Sequence, residues 1–318
     1  MRTLLTLADR TAVLFLGVAA GAMIGYAFAG SGDAPAPRPA VTPAVAPPPP
    51  ATGNPAAGPG RPAAAPTAEC AIPFSPHLLE TVAEGRKVRI GVFGDSYGDG
   101  IWSALYHLLP ARAGYEVAKF SQQSTGFTRY GSLNLEDHAR EQLSGNPVDV
   151  AVISFGANDT QGVMSGNHAA KLLGPEWQEI VGKRVDGFVR ELRAQGAMVY
   201  WVGLPKMRKP EFDADIAGMN AFYTKRMAAL GVPWIETASM TVDGNGEFAP
   251  YLPDGPSGER TLIRANDGIH MSMTGYLRIT RGLAKRIDRY VAAARTMAGT
   301  DAPPRPAAPA APAPGVPS

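Results

Sequence analysis

Cysteine is almost missing from this 318-residue chain. Cys70 is the only one, which excludes an internal disulfide framework and a thiolate metal cluster. It stands at the edge of a linker, where an inert thiol is favoured over an intermolecular disulfide. Net charge is nearly missing too. Thirty Lys and Arg face 28 Asp and Glu for a balance of +2, so the chain lacks the electrostatic footprint of a nucleic-acid binder. No His-x-x-x-His and no paired carboxylates stand at a predicted strand end, so no metal is expected. The first strand–helix loop lacks Gly-x-Gly-x-x-Gly, so no dinucleotide is expected, and the expected cofactor is none. The middle of the chain shows no internal repeat.

What is present is unevenly distributed. Of 30 prolines, 19 fall in residues 31–69 and 298–318. Those flanks hold almost no large apolar side chains and cannot bury enough surface to offset the entropy of ordering them. They are predicted as a disordered Pro/Ala-rich linker (31–69) and tail (298–318). Residues 11–30 carry no charge and follow Arg2 and Arg10. About 20 apolar residues suffice to cross a bilayer, and the preceding charge predicts that the rest of the chain is exported. Ala27-Phe28-Ala29 offers a signal-peptidase site. Residues 1–30 are therefore a membrane anchor or a signal peptide, and the length of the run favours the anchor. The predicted location is the bacterial periplasm or cell envelope, held to the inner membrane through residues 11–30, or secreted if cleaved.

Residues 70–297 have ordinary globular composition and enough length for one core. Apolar runs predict strands at 88–94, 114–120, 148–154, 197–202 and 232–235. Apolar periodicity predicts helices at about 98–109, 133–143, 176–195, 213–230 and 272–297. Strands alternating with helices predict an α/β fold with a parallel sheet covered on both faces. Sites in such sheets lie outside the carboxyl ends of the strands, where strand order reverses. Three predicted strand ends carry unusual polar residues: Gly94-Asp95-Ser96, Ser124-Thr125-Gly126 and Gly156-Ala157-Asn158-Asp159. Near the end of the domain lies Asp267-Gly268-Ile269-His270. A serine hydroxyl needs a base within hydrogen-bond reach, and an imidazole fixed by a carboxylate supplies one. The oxyanion formed by attack on an acyl carbon needs preorganised donors. The amides of Ser96 and Gly126 and the side-chain amide of Asn158 are the candidates.

These four blocks, in this order, resemble those of the SGNH (GDSL) hydrolase superfamily over about residues 86–295. Gly203-Leu204-Pro205-Lys206-Met207-Arg208 and Arg264-Ala265-Asn266-Asp267-Gly268-Ile269-His270 are similar to an exported bacterial branch of poorly defined role. The resemblance implies a flavodoxin-like three-layer α/β/α sandwich with a five-stranded parallel sheet. It implies Ser96 as nucleophile, His270 as base, Asp267 as its partner, and Ser96, Gly126 and Asn158 as the oxyanion hole.

Each residue also has a plainer use. Ser96 could cap a helix, and Asp95 is better read as the cap and brace of its turn. Asn158 could be turn chemistry, and Asp159 a loop support. Asp99 suits the first turn of a helix. Lys206 and Arg208 either rim the site, meeting an anionic or sugar substrate, or form a solvated loop. His77, His107, His138 and His168 have no evident partner. Trp102, Trp201 and Trp234 are expected in the core. Short loops at the strand ends predict an open site without a lid. The expected function is an exported serine esterase or O-deacylase working through an acyl-enzyme on O-acylated cell-envelope or extracellular polysaccharide. The alternatives are an O-acyltransferase with the same triad and a non-catalytic, envelope-tethered binding or scaffold module.

Overall fold

The computed structural model describes residues 73–300. The expected anchor, the linker, Cys70 and the tail beyond Thr300 lie outside those residues. Among the described residues no helix is long and apolar enough to cross a membrane.

Five parallel strands form the central sheet: β1 (Val88–Gly94), β2 (Tyr115–Lys119), β3 (Val150–Ser154), β6 (Met198–Val202) and β7 (Trp234–Ile235). Their order is β2-β1-β3-β6-β7, all in parallel register. The order reverses between β1 and β3, which creates the crevice where such sheets place ligands. Side chains alternate across the pleat. Ile90, Val92, Val150, Val152, Tyr200 and Val202 enter one core, while Phe93, Ala151, Ile153, Val199 and Trp201 enter the other. α1 (Pro76–Ala83), α2 (Ser96–Leu108) and α6 (Met273–Met297) cover the first face. α3 (Leu135–Leu143), α4 (Pro175–Ala194) and most of the apolar face of α5 (Pro210–Leu230) cover the second. The fold is thus the expected α/β/α sandwich on a five-stranded parallel sheet.

Several local details depart from the sequence reading. α1 was not anticipated, although Ser75 caps it by accepting a hydrogen bond from Leu78 N and Pro76 begins it, both recognised start signals. α2 starts at Ser96 and not near 98, because Asp95 caps it by accepting from Tyr97 N at 2.9 Å. The loops at the strand ends are not all short. The connection from β3 to α4 contains a hairpin of β4 (Val163–Ser165) and β5 (His168–Ala170), and that from β7 to α6 contains a second of β8 (Tyr251–Asp254) and β9 (Glu259–Leu262). Trp201 is fully buried, but Trp102 and Trp234 are only half-buried. Trp102 Nε1 donates to Val117 O at 3.2 Å and holds α2 to the edge strand. Two histidines have partners after all: His77 Nε2 lies 3.6 Å from Asp149, and His168 Nε2 lies 2.9 Å from Glu176. Ala298 caps α6, and Thr300 Oγ1 donates to Val82 O at 3.3 Å.

Candidate active site

The site is assembled at the carboxyl ends of β1, β2 and β3 and closed by the turn before α6. β1 ends at Gly94, where only glycine fits. A Cβ there would lie 2.3 Å from Ser154 O and 2.9 Å from Gly98 Cα, so a side chain would push β1 away from β3 and from α2. Asp95 follows, fully buried. Burial pushes its carboxyl up to about 7 against the Tyr97 amide that favours the charged form, and the Asp159 charge adds to the rise. Ser96 is the first residue of α2, where backbone N–H groups have no intrahelical acceptor and the helix dipole favours negative charge.

The second strand end is shaped by a loop over residues 121–129. Gln122 N donates to Gly94 O at 2.9 Å, which ties the loop to the nucleophile strand. Asp159 holds its far end. The carboxylate accepts from Phe127 N (3.0 Å), Thr128 N (2.7 Å) and Thr128 Oγ1 (2.7 Å). A Cβ at position 126 would lie 2.5 Å from Asp159 Oδ1, so glycine is what lets the carboxylate sit behind the loop. Asp159 is fully buried, and that burial raises its pKa against the Thr128 and Phe127 hydrogen bonds. Asn158 sits in a short turn after β3. Its Nδ2 donates to Thr125 O at 3.0 Å and to Asp95 Oδ2 at 3.3 Å. Both Nδ2 hydrogens of Asn158 are thus engaged, and its amide ties together the two neighbouring blocks.

The fourth block completes a line of contacts. Ser96 Oγ lies 2.8 Å from His270 Nε2, and His270 Nδ1 lies 2.6 Å from Asp267 Oδ2. Asp267 Oδ1 also accepts from Ile269 N (2.8 Å) and His270 N (2.9 Å), which folds residues 267–270 into one turn. Partial burial would raise the Asp267 carboxyl, but His270 and these two amides outweigh it and hold it at about 2. With an ionised carboxylate at Nδ1, the imidazole keeps its proton there and presents the Nε2 lone pair to the serine.

The turn has supports that the sequence did not reveal. Arg264 is fully buried. Its guanidinium donates to Lys206 O (2.6 Å) and Ile269 O (2.7 Å) and lies 4.8 Å from the centre of the Phe248 ring. Tyr97 donates its hydroxyl to the same Ile269 carbonyl, and its ring stacks on His270 at 5.7 Å. Arg264 opens the string Arg264–His270 singled out in the sequence, but nothing there assigned it a role or marked it as buried. The two expected rim cations are both engaged. Lys206 Nζ lies 3.6 Å from Asp213 and 3.5 Å from Glu247. Arg208 donates to Asn266 O at 2.8 Å and its backbone N–H to Gly268 O at 3.0 Å, so it braces the Asp267 turn. Asp99 accepts from Ser121 Oγ (2.5 Å) and Gln123 Nε2 (3.0 Å), linking the first turn of α2 to the Gly126 loop. Among the described residues no cluster of His, Cys, Asp and Glu could hold a metal ion.

A hydroxyl, an imidazole and a carboxylate in line at the switch point of such a sheet place the fold in the SGNH hydrolase class. Within it, the chain belongs to the family described as a protein of unknown function, DUF459, whose model matches residues 89–286. No curated protein matches the chain significantly. Among solved structures it is similar to a GDSL-like lipase from Bacteroides thetaiotaomicron, at 16% identity over 70% of this chain and 94% of that one, with a TM-score of 0.45. It is similar to an acetyl xylan esterase at 18% identity over 64% and 98%, with a TM-score of 0.44. It is also similar to the periplasmic domain of a lipopolysaccharide acetyltransferase from Salmonella ser. Paratyphi A, at 10% identity over 65% and 86%, with a TM-score of 0.47. Likenesses this distant say nothing about the substrate of this chain.

Proposed function

We propose that the protein is an exported serine esterase that removes O-acyl groups from cell-envelope or extracellular polysaccharide. The observation that carries the chemistry is the unbroken line Ser96 Oγ–His270 Nε2–His270 Nδ1–Asp267 Oδ2, with contacts of 2.8 and 2.6 Å. His270 takes the Ser96 proton as Oγ attacks the ester carbonyl. The oxyanion is received by the amides of Ser96 and Gly126; Asn158 has both Nδ2 hydrogens on Thr125 O and Asp95 Oδ2 and joins as a third donor only by giving up one of them. His270 then returns the proton to the leaving alkoxide, and the C–O bond breaks to give acyl-Ser96 and free alcohol. Water, deprotonated by His270, resolves the acyl-enzyme to a carboxylic acid and restores the serine. Asp267 stays ionised throughout and stabilises the imidazolium. Export rests on the uncharged run 11–30 behind Arg2 and Arg10, and the 39-residue linker at 31–69 would let a tethered domain reach polymer away from the membrane.

Labelling of the full chain with a serine-reactive fluorophosphonate tests this reading. The expected result is a single adduct on Ser96, absent in Ser96→Ala and formed much more slowly in His270→Ala. A wild-type protein that neither labels nor hydrolyses p-nitrophenyl acetate would overturn it.

A further inference from the structure

A concave feature lies on the flank where α2 runs past the edge strand β2. It is an open cavity of about 440 Å³ formed by the end of α2, the following loop and the first half of β2. Lys87, His107 and Arg112 line it, together with Tyr106. Lys87 and Arg112 are exposed, and neither side chain has an ion pair or hydrogen bond to another described residue. The one acid in the lining, Glu116, is already 3.1 Å from Arg89 Nε. The cavity therefore presents uncompensated positive charge. Tyr106 is 60% exposed, with its ring 6.1 Å from the Trp102 ring and 6.0 Å from the His107 ring.

This cavity is joined to the serine by a continuous strip. α2 rises about 1.5 Å per residue, so Tyr106 lies roughly 15 Å along the helix from Ser96. Between them stand Asp99, paired with Lys119 at 3.0 Å, and Trp102, whose ring lies 5.8 Å from Lys119 Nζ and 6.1 Å from the Tyr106 ring. Among the described residues no strand covers the outer side of β2, which is the edge of the sheet. The strip thus alternates aromatic faces with charged and polar groups. Rings with an apolar face and polar edges are what such a surface suits, since an aromatic side chain offers contact area while neighbouring charges take hydroxyls or carboxylates.

We propose that the α2–β2 flank binds an extended acidic polysaccharide, with a uronate-type sugar seated on Tyr106 and its carboxylate taken by Lys87 and Arg112. The proposal rests on the polysaccharide reading given above and sharpens it: the polymer that presents its ester to Ser96 is anionic. Concavity and an exposed ring favour a sugar over a flat bilayer, and the ring favours a sugar acid over a bare phosphate chain.

The test uses full-length protein carrying Ser96→Ala, so binding is read without turnover. Affinity electrophoresis is run with polygalacturonate, with neutral dextran and with inorganic polyphosphate, and flotation with vesicles of equal parts phosphatidylcholine and phosphatidylglycerol. Retardation by polygalacturonate and not by dextran is expected. Affinity should fall about tenfold or more in Lys87→Ser/Arg112→Ser, the loss of two charge-assisted contacts, and several-fold in Tyr106→Ala. Because these side chains are exposed, thermal melting should show the variants folded. Failure to bind polygalacturonate at low salt, or equal binding by the double variant, overturns the proposal. So does polyphosphate binding that is insensitive to Tyr106→Ala in the absence of polygalacturonate binding, or vesicle flotation that the double variant abolishes while no polymer binds. The two readings fail separately. A protein that binds polygalacturonate but resists fluorophosphonate loses only the esterase, and a labelled enzyme that ignores the polymer loses only the flank.

Discussion

The two edges of the sheet each bring together a hydroxyl, an imidazole and a carboxylate, and they differ in the order of contact. At the carboxyl edge Ser96 meets His270 and His270 meets Asp267. At the amino edge Thr81 Oγ1 donates to Asp149 at 3.0 Å, His77 lies 3.6 Å from the same oxygen, and Arg89 N donates to the other oxygen at 2.7 Å. There the carboxylate is the hub. Its job is to satisfy donors from α1 and β1, and it is 1% exposed. At the carboxyl edge the imidazole is the hub, so a proton on the hydroxyl has a base to go to. The same three functional groups thus make a brace in one order and a proton-transfer line in the other.

The largest effect should separate the two edges outright. Ser96→Ala should lower kcat/KM on p-nitrophenyl acetate by roughly 10⁴-fold or more, as loss of a triad nucleophile does. Thr81→Val should leave that rate within about twofold. It should lower stability in urea by about 1 kcal/mol, the usual value of one hydrogen bond, or somewhat more where Asp149 loses a buried partner. Equal activity losses in the two variants would show that the contact order carries no chemistry.

Asp267→Asn is the next largest. An amide can keep one oxygen for Ile269 N and His270 N, but its NH₂ would then face Nδ1. That reverses the tautomer and points an N–H at Ser96. A fall in kcat on the order of 10³- to 10⁴-fold is expected, read beside a melting profile that shows the variant folded and only modestly less stable, since the half-exposed carboxylate's stabilising contacts are screened by solvent. A variant retaining more than about a tenth of the rate would mean that the carboxylate does not orient the base.

Much of the carboxyl edge could be read from sequence because its parts are short local strings at strand ends. Gly94-Asp95-Ser96 and Asp267-Gly268-Ile269-His270 each fix their own turn through hydrogen bonds within three residues, as Asp95 to Tyr97 N and Asp267 to His270 N show. The strands were legible for a similar reason, since a sheet buried on both faces demands unbroken β-branched and apolar runs. What escaped was long-range or weakly patterned. Arg264 acts through carbonyls of Lys206 and Ile269, one of them 58 residues away, and nothing in its neighbourhood announces burial. The hairpins β4–β5 and β8–β9 are strands of three and four residues, too short for an alternation to register. The brace at Asp149 escaped because Thr81 and His77 lie more than 60 residues from it.

The smallest effect, and the one that tests the second carboxylate at the carboxyl edge, concerns Asp95. Burial raises this group from its ordinary 3.8 to about 7. The folded protein therefore holds a proton there that the unfolded chain releases between those values, and stability falls as pH rises across that window. The contribution is complete below about 3.8 and lost as pH passes about 7. Asp267, held low, has its window below 3.8 and with the opposite sign, so its stabilisation is already complete at pH 5 and adds no slope up to pH 8. Asp159 is also raised and is coupled to Asp95 through their charges, so the difference between the two proteins reports Asp95 together with that coupling. Urea titrations of wild type should show stability declining from pH 5 to 8 by on the order of 1 kcal/mol or more. Asp95→Asn, which cannot ionise yet still offers an oxygen to Tyr97 N, should flatten that slope. Parallel curves would mean that Asp95 is charged throughout and that Asn158 Nδ2 and Tyr97 N already compensate it. Ester hydrolysis should fall far less in Asp95→Asn than in Asp267→Asn, because Asp95 holds the turn and Asn158 while Asp267 sets the state of the base. A larger loss at Asp95 would reverse that division and make the buried carboxylate, not the half-exposed one, the group on which the line from Ser96 depends.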